Sequence, residues 1–323
     1  MDADVQRPVR GRLIEADQPT FRNSFNSKSF MFRHDLAKSP LFELPRLALL
    51  AERMLAQGET QKFVALGGKK SAADTKFSGM PPQEKLAQTV RDLAEAGAWL
   101  KISSANAADP EYGEVLRQVL EDVETMAEVP LKQQITWATL TVFLASPNIV
   151  TPYHMDHESN FLFQIRGEKD LSLFDQTDRT LLSEDEIEQF YVGDFEAAQF
   201  RTGSQERGNV YRLKPGLVVH HPPLAPHWVQ NGNNVSVSVS IGFCMQSLDR
   251  RARVYQVNHL LRRIGLSPTP PGKSPLRDAV KVAGIGLFSK SEPRTIDEIL
   301  FSGVNRLMAP PRAIKRALSS LRR

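Results

Sequence analysis

The sequence predicts a mostly β core, a jelly-roll barrel, with flanking α-helices on its N- and C-terminal sides. Three observations predict it. From about residue 134 to 245 the chain breaks into short β-branched runs separated by Pro, Gly and Asn turns, the pattern of a folded-over antiparallel sheet. The run VSVSVSIGF, beginning at Val235, alternates with the period of a strand, valines on one face and serines on the other. On either side of this region apolar residues recur at helical spacing instead.

Residues 1–130 read as a mixed, largely helical region packing on the barrel. Phe21, Phe25, Phe30 and Phe32 dot a polar start, and Phe30-Met31-Phe32 begins an edge strand. Leu47, Leu50, Met54 and Leu55 mark a helix over 41–57, with Pro45 in its first turn and Gly58 as its stop. Gly67 and Gly68 precede Lys69, Lys70 and Ser71, but the upstream glycine of a phosphate loop is missing. After Pro81 and Pro82, the run from Gln83 to Glu95 is helical, Trp99 to Ile102 is a short strand, and Tyr112 to Ala127 is an amphipathic helix. None of these segments carries a chemical motif.

The barrel is assigned to 131–247. ITWATLTVFLAS is a strand that Pro147 and Asn148 end. NFLFQIRGEKDLSLFD is two strands broken near Arg166-Gly167-Glu168. Asn209 to Leu213 is a strand, Lys214-Pro215-Gly216 a turn, LVVHH a strand and PPLAP a rigid loop, and His227 begins the next strand. The turn Asn231 to Asn234 then leads into the alternating run. Residues 248–323 are a basic helical region, with helices near Arg253–Arg263, Leu276–Val282 and Thr295–Leu307. Its last segment, PPRAIKRALSSLRR, puts Ile314, Leu318 and Leu321 on one face. It suits an anionic membrane surface or a dimer contact.

Composition narrows the class. A length of 323 residues allows one large domain or two modest ones. Cys244 is the single cysteine, which excludes an internal disulfide and a Cys-based zinc cluster and fits a reducing compartment. The N-terminus lacks an apolar signal core, and no apolar run approaches the ~18 residues of a membrane span. A cytoplasmic protein with no transmembrane segment is expected. The net charge of +4 hides an asymmetry: residues 251–323 hold 15 Lys/Arg against 4 Asp/Glu, and residues 1–250 hold 26 against 33. Nucleic acid or another anionic surface is one partner such a region suits, and a solvated basic appendage is the plainer reading.

The chemistry is concentrated in TPYHMDHESNFLFQIRGEK, residues 151–169. His154 and Asp156 stand two apart, as alternate residues of a strand that face one side. His227 follows in KPGLVVHHPPLAPHWVQNG. Two histidines and a carboxylate hold ferrous iron on one face and leave the other positions open. A His-x-Asp pair alone also occurs by chance. His220 or His221 would replace His227 if the strand register slipped. His157 should face away from the pair, and His34 and His259 lie outside the β region.

The wider pattern resembles the JmjC-type branch of the cupin superfamily, a double-stranded β-helix. It is most similar to the asparaginyl hydroxylase acting on hypoxia-inducible factor and to its small bacterial relatives. That pattern is Thr-Pro-x-His-x-Asp, then Asn, Gln-Ile and Gly-x-Lys, and this chain has Thr151, His154, Asp156, Asn160, Gln164, Ile165, Gly167 and Lys169 in register. PPLAPHWVQN resembles its second element, and the similarity covers roughly 130–245. The resemblance implies an Fe(II)/2-oxoglutarate-dependent dioxygenase that uses dioxygen to hydroxylate a protein side chain or small molecule, releasing succinate and CO2. It implies that His154, Asp156 and His227 ligate Fe(II), that Lys169 and Thr151 hold the far carboxylate of 2-oxoglutarate, and that Asn160 supports its other end. Ser240 stands where the hydroxylase has an asparagine. A homodimer through C-terminal helices is implied as well. The rival reading is a non-catalytic cupin that senses a metal or small acid and acts as a regulator, although no helix-turn-helix is visible.

Overall fold

The computed structural model describes residues 11–67, 71, 73 and 86–309. Gly68 to Lys70, Pro81-Pro82 and the tail bearing Ile314, Leu318 and Leu321 lie outside the described residues. The chain forms two compact units, one of residues 1–176 and 200–244, the other of residues 177–199 and 245–323.

The first unit holds every described strand: β1 (Ile14–Glu15), β2 (Phe30–His34), β3 (Phe63–Gly67), β4 (Ala98–Ile102), β5 (Ile135–Ala145), β6 (Val150–His154), β7 (Ser159–Arg166), β8 (Lys169–Leu173), β9 (Asn209–Leu213), β10 (Leu217–His221), β11 (His227–Asn231) and β12 (Ser236–Met245, its last residue in the second unit). Its helices are α1 (Gln18–Ser24), α2 (Leu44–Ala56), α3 (Leu86–Arg91), α4 (Ala105–Ala108), α5 (Pro110–Ala127) and α6 (Leu131–Gln134). An eight-stranded sheet runs β1-β2-β10-β7-β12-β5-β4-β3, and a four-stranded sheet runs β6-β11-β8-β9. One apolar cluster draws on both. Leu162 and Val219 come from the large sheet, and Leu171, Leu173, Leu213 and Val229 from the small one. The inner faces therefore close on a shared core, the jelly-roll double-stranded β-helix expected from the strand pattern.

One detail differs from expectation. β2 is not an edge, because β1 pairs outside it through Ile14↔His34 and Glu15↔Arg33. The aromatic start of the chain packs instead on the outer side of the sheet, with the Phe21 ring 5.9 Å from Phe161 and the His220 ring 4.6 Å from Phe161. The serine face of β12 turns inward, where Ser238 and Ser240 bond to Gln164 and Asn160 of β7. Ser236, Ser238 and Ser240 are buried with the valines.

The second unit is helical, with α7 (Glu184–Phe190), α8 (Gln246–Arg263), α9 (Pro275–Gly286) and α10 (Ile296–Met308). The buried Glu188 carboxylate accepts from Arg262 Nε at 2.8 Å, and Gln256 Nε2 donates to the carbonyls of Tyr191 and Leu300. No described helix is long and apolar enough to cross a membrane.

Candidate metal centre

The barrel gathers His154, Asp156 and His227 so that one ligand atom from each lies within 4.8 Å of the others. Asp156 Oδ2 is 3.9 Å from His154 Nε2 and 3.6 Å from His227 Nε2. The pair does not meet by strand alternation as expected, because β6 ends at His154 and Asp156 lies in the following loop. That loop is pinned to the one carrying the distal histidine, since the Leu224 amide donates to the Asp156 carbonyl at 2.8 Å. Leu224 adopts φ +65°, a left-handed conformation that a bulky side chain rarely takes. That hydrogen bond, made with Leu224 in a strained conformation, holds the two segments together.

β6 and β11 pair His154 with His227 and Thr151 with Val229, so three steps on β6 face two on β11. The extra residue is a β-bulge, a feature common beside active sites because it re-aims a side chain. It lets Thr151 and His154, three apart, both face the interior. Each of the two clustered histidines is oriented by its own backbone. His154 Nδ1 lies 2.7 Å from the Pro152 carbonyl and His227 Nδ1 lies 3.0 Å from the Ala225 carbonyl. A carbonyl only accepts, so both Nδ1 atoms carry the proton and both Nε2 atoms keep a lone pair for a metal. Burial, first among the causes, lowers both imidazoles to about 4, so they stay neutral at physiological pH. Two neutral imidazoles and a carboxylate fit a divalent cation with open positions.

Lys169 opens β8, opposite Asn231 of β11 and Leu213 of β9. It shares its inward face with Leu171 and Leu173 of the core cluster. It is 5 % exposed, and burial alone lowers its ammonium to about 7. No ion pair or hydrogen bond to that ammonium is present among the described residues. Thr151 is buried on β6, across β11 from Lys169. Asn160 is held by Ser240, whose hydroxyl donates to Asn160 Oδ1 at 2.8 Å. The amide Nδ2 is thereby left on the other side of the group. Gln164 closes the turn before Lys169. Its Nε2 donates to the carbonyls of Arg166 and Gly167 and to Ser236 Oγ, while its Oε1 accepts from Ser238 Oγ at 2.6 Å.

The other histidines separate cleanly. His220 faces outward, with Nδ1 donating to the Asn160 carbonyl and Nε2 accepting from the Asn26 amide. His34 is buried and equally satisfied, by the Gln164 carbonyl and the Leu36 amide. His157 is buried and outside the His154/Asp156/His227 group. His221 faces inward beside His227 but is not in that group either.

Sequence reasoning missed Lys101 and Glu158. Lys101 on β4 sits opposite Phe143, its Nζ 6.0 Å from that ring. Its charge reaches both His154 and Glu158. Burial, then the Asp156 charge, pushes Glu158 up to about 7. The one available signal was Lys101 as the only charge in a short apolar strand.

A model of the family described as Cupin-like domain matches residues 63–249. No curated protein matches the sequence. Among solved structures, an X-ray structure of ycfD from E. coli is similar at 15 % identity and TM-score 0.50, covering 86 % of this chain and 69 % of that one. A second structure of that Escherichia coli protein, described as a ribosomal oxygenase in complex with cobalt and 2-oxoglutarate, is 15 % identical with TM-score 0.49, covering 95 % and 70 %. The likeness to the first concerns the fold. The family match spans more than half of the sequence, both sheets' core strands and all three clustered groups, and the chain belongs to the Cupin-like domain family.

Proposed function

We propose that the protein is an Fe(II)/2-oxoglutarate-dependent dioxygenase, a hydroxylase of a protein side chain or small molecule that releases succinate and CO2. The observation that carries this reading is Lys169, a buried ammonium without a counter-charge in the same barrel as a two-histidine, one-carboxylate cluster. A buried cation is retained at a cost unless an anion pairs with it. The register positions of His227 and Lys169 are four residue steps apart along β11, roughly 13 Å of strand. A short diacid and the lysine side chain together span such a gap.

In this reading His154, Asp156 and His227 hold the iron. Iron, when bound, supplies dioxygen activation, which no side chain provides. Lys169 and Thr151 bind the far carboxylate, and Asn160, fixed by Ser240, steadies the end nearer the metal. The apolar inner cluster excludes water around these groups. The catalytic barrel is assigned to 131–247, between a packing region (1–130) and the basic helices (248–323). A cytoplasmic location suits the single, buried Cys244. The fold shared with YcfD, itself described as a ribosomal oxygenase, makes protein substrates worth including in any screen.

The test is succinate formation from 2-oxoglutarate by the anaerobically iron-loaded protein after oxygen is admitted. Turnover above a His154→Ala control is expected. Absence of both turnover and 2-oxoglutarate binding would sink the proposal.

A further inference from the structure

We infer that His221 is a hydrogen-bonding residue for the metal-bound end of the oxo acid, a position in the site separate from the three clustered ligands. The inference rests on the co-substrate reading above and deepens it.

β10 ends in two consecutive histidines that solve the burial problem in opposite ways. His220 turns outward and has a partner on each nitrogen. His221 turns inward, is 4 % exposed, and neither of its nitrogens meets a hydrogen-bond partner among the described residues. Buried polar atoms are rarely left unpaired, and an unpaired one calls for a specific explanation. Apolar packing does not supply it, because a leucine or phenylalanine would fill this position without the penalty.

The surroundings of His221 say what would complete it. Its ring stands edge-on to His227, centroids 4.9 Å apart and planes 70° apart. Its register partner is Asn160 on β7, the amide that Ser240 orients. His221 thus borders the space beside the metal cluster, while lying outside the set of atoms within mutual ligand distance. A neutral imidazole offers one N–H donor and one lone pair. A carboxylate or keto oxygen placed beside His227 would accept from that donor. A 2-oxo acid chelated at the cluster brings such oxygens to the metal. The side chain therefore acts on co-substrate placement, and its effect should appear in binding before it appears in turnover.

The experiment uses the full chain loaded with Mn(II), with 2-oxoglutarate as the probe, followed by calorimetry. His221→Phe keeps a ring against His227 and removes both nitrogens, His221→Leu repeats the comparison without a ring, and His221→Gln restores a donor. Thermal melts first establish which variants are folded. The expected result is unchanged Mn(II) affinity in all of them. 2-Oxoglutarate affinity should fall about tenfold or more in the Phe and Leu variants, the loss expected for a hydrogen bond to a charged group, and recover in part in the Gln variant. Unchanged 2-oxoglutarate affinity in the folded apolar variants overturns the inference and leaves the dioxygenase reading intact. A parallel loss of Mn(II) affinity also overturns it, since the ring would then only position His227. A wild-type protein that binds Mn(II) but no 2-oxoglutarate removes both readings.

Discussion

A lysine ammonium inside a barrel surrenders its hydration, and it regains an equivalent only when an anion arrives. Lys169 is in that state, and its burial drives its ionisation down to about 7. A folded-state value below the unfolded one means that between about 7 and the ordinary 10.5 the unfolded chain holds the extra proton. From this group, stability rises with pH across that window. An arriving carboxylate reverses the drift by favouring the charged form. Binding of 2-oxoglutarate should therefore take up protons near and above pH 7, and affinity should weaken as pH rises. Lys169→Met should bind about a hundredfold more weakly, the scale for removing one partner of a buried charge pair. It should also lose most of that pH dependence. The same variant should be more stable without ligand by about 1–3 kcal/mol, since it removes an unpaired buried charge. Calorimetry in buffers of different protonation enthalpy and urea unfolding read the two effects. A variant that binds as tightly as wild type would refute the anchor.

At the scale of elements, the turn between β7 and β8 positions that lysine, and Gly167 makes the turn feasible. Its φ is +73°, and a Cβ there would lie 2.3 Å from the Val235 carbonyl oxygen and 2.5 Å from Asn234 Oδ1. Gly167→Ala should destabilise the protein by at least about 1–3 kcal/mol through backbone strain alone, with the clash adding to it. Weaker 2-oxoglutarate binding should accompany the loss, because Lys169 follows two residues later. Equal urea midpoints for variant and wild type would contradict this. Much at this scale was legible in the sequence. Pro, Gly and Asn punctuation marks chain reversals whatever the tertiary context, and β9, β10 and the start of β11 fall where that punctuation puts them. Helix α7 was missed although Ser183 and Glu186 form a capping box in front of it. Other features depend on groups far apart in sequence and leave no local trace. The bulge that turns both Thr151 and His154 inward exists only in the pairing with β11, and alternation along β6 alone predicts the wrong geometry for Asp156. The unpaired state of His221 is a property of its neighbours, so the residue read as an alternative ligand until those neighbours were in place.

For the molecule as a whole, we propose a homodimer made through the C-terminal helices, and the exposed face of α9 supports it. Leu276 and Val280 lie one turn apart, and Leu287 falls on the same side just past the helix end. They are 76 %, 66 % and 84 % exposed. Three large apolar side chains aligned on one helix face form the kind of patch that marks an association site rather than scattered surface residues. A second copy of the chain is an occupant that buries the patch without requiring another protein, and twofold symmetry makes the same patch available on both partners. Charge gives the alternative, because a region with 15 Lys/Arg against 4 Asp/Glu over residues 251–323 repels its copy unless apolar burial offsets it. Light scattering of the full chain decides between them. The expected mass is that of a dimer. Leu276→Glu combined with Val280→Glu should return it to a monomer, while 2-oxoglutarate binding persists because the site's groups all lie in the first unit. A monomeric wild type, or a double variant that stays dimeric, would refute the assignment of this face. If the wild type instead associates only with added nucleic acid, and loses that association as salt is raised, the basic surface rather than the apolar one directs its partnerships.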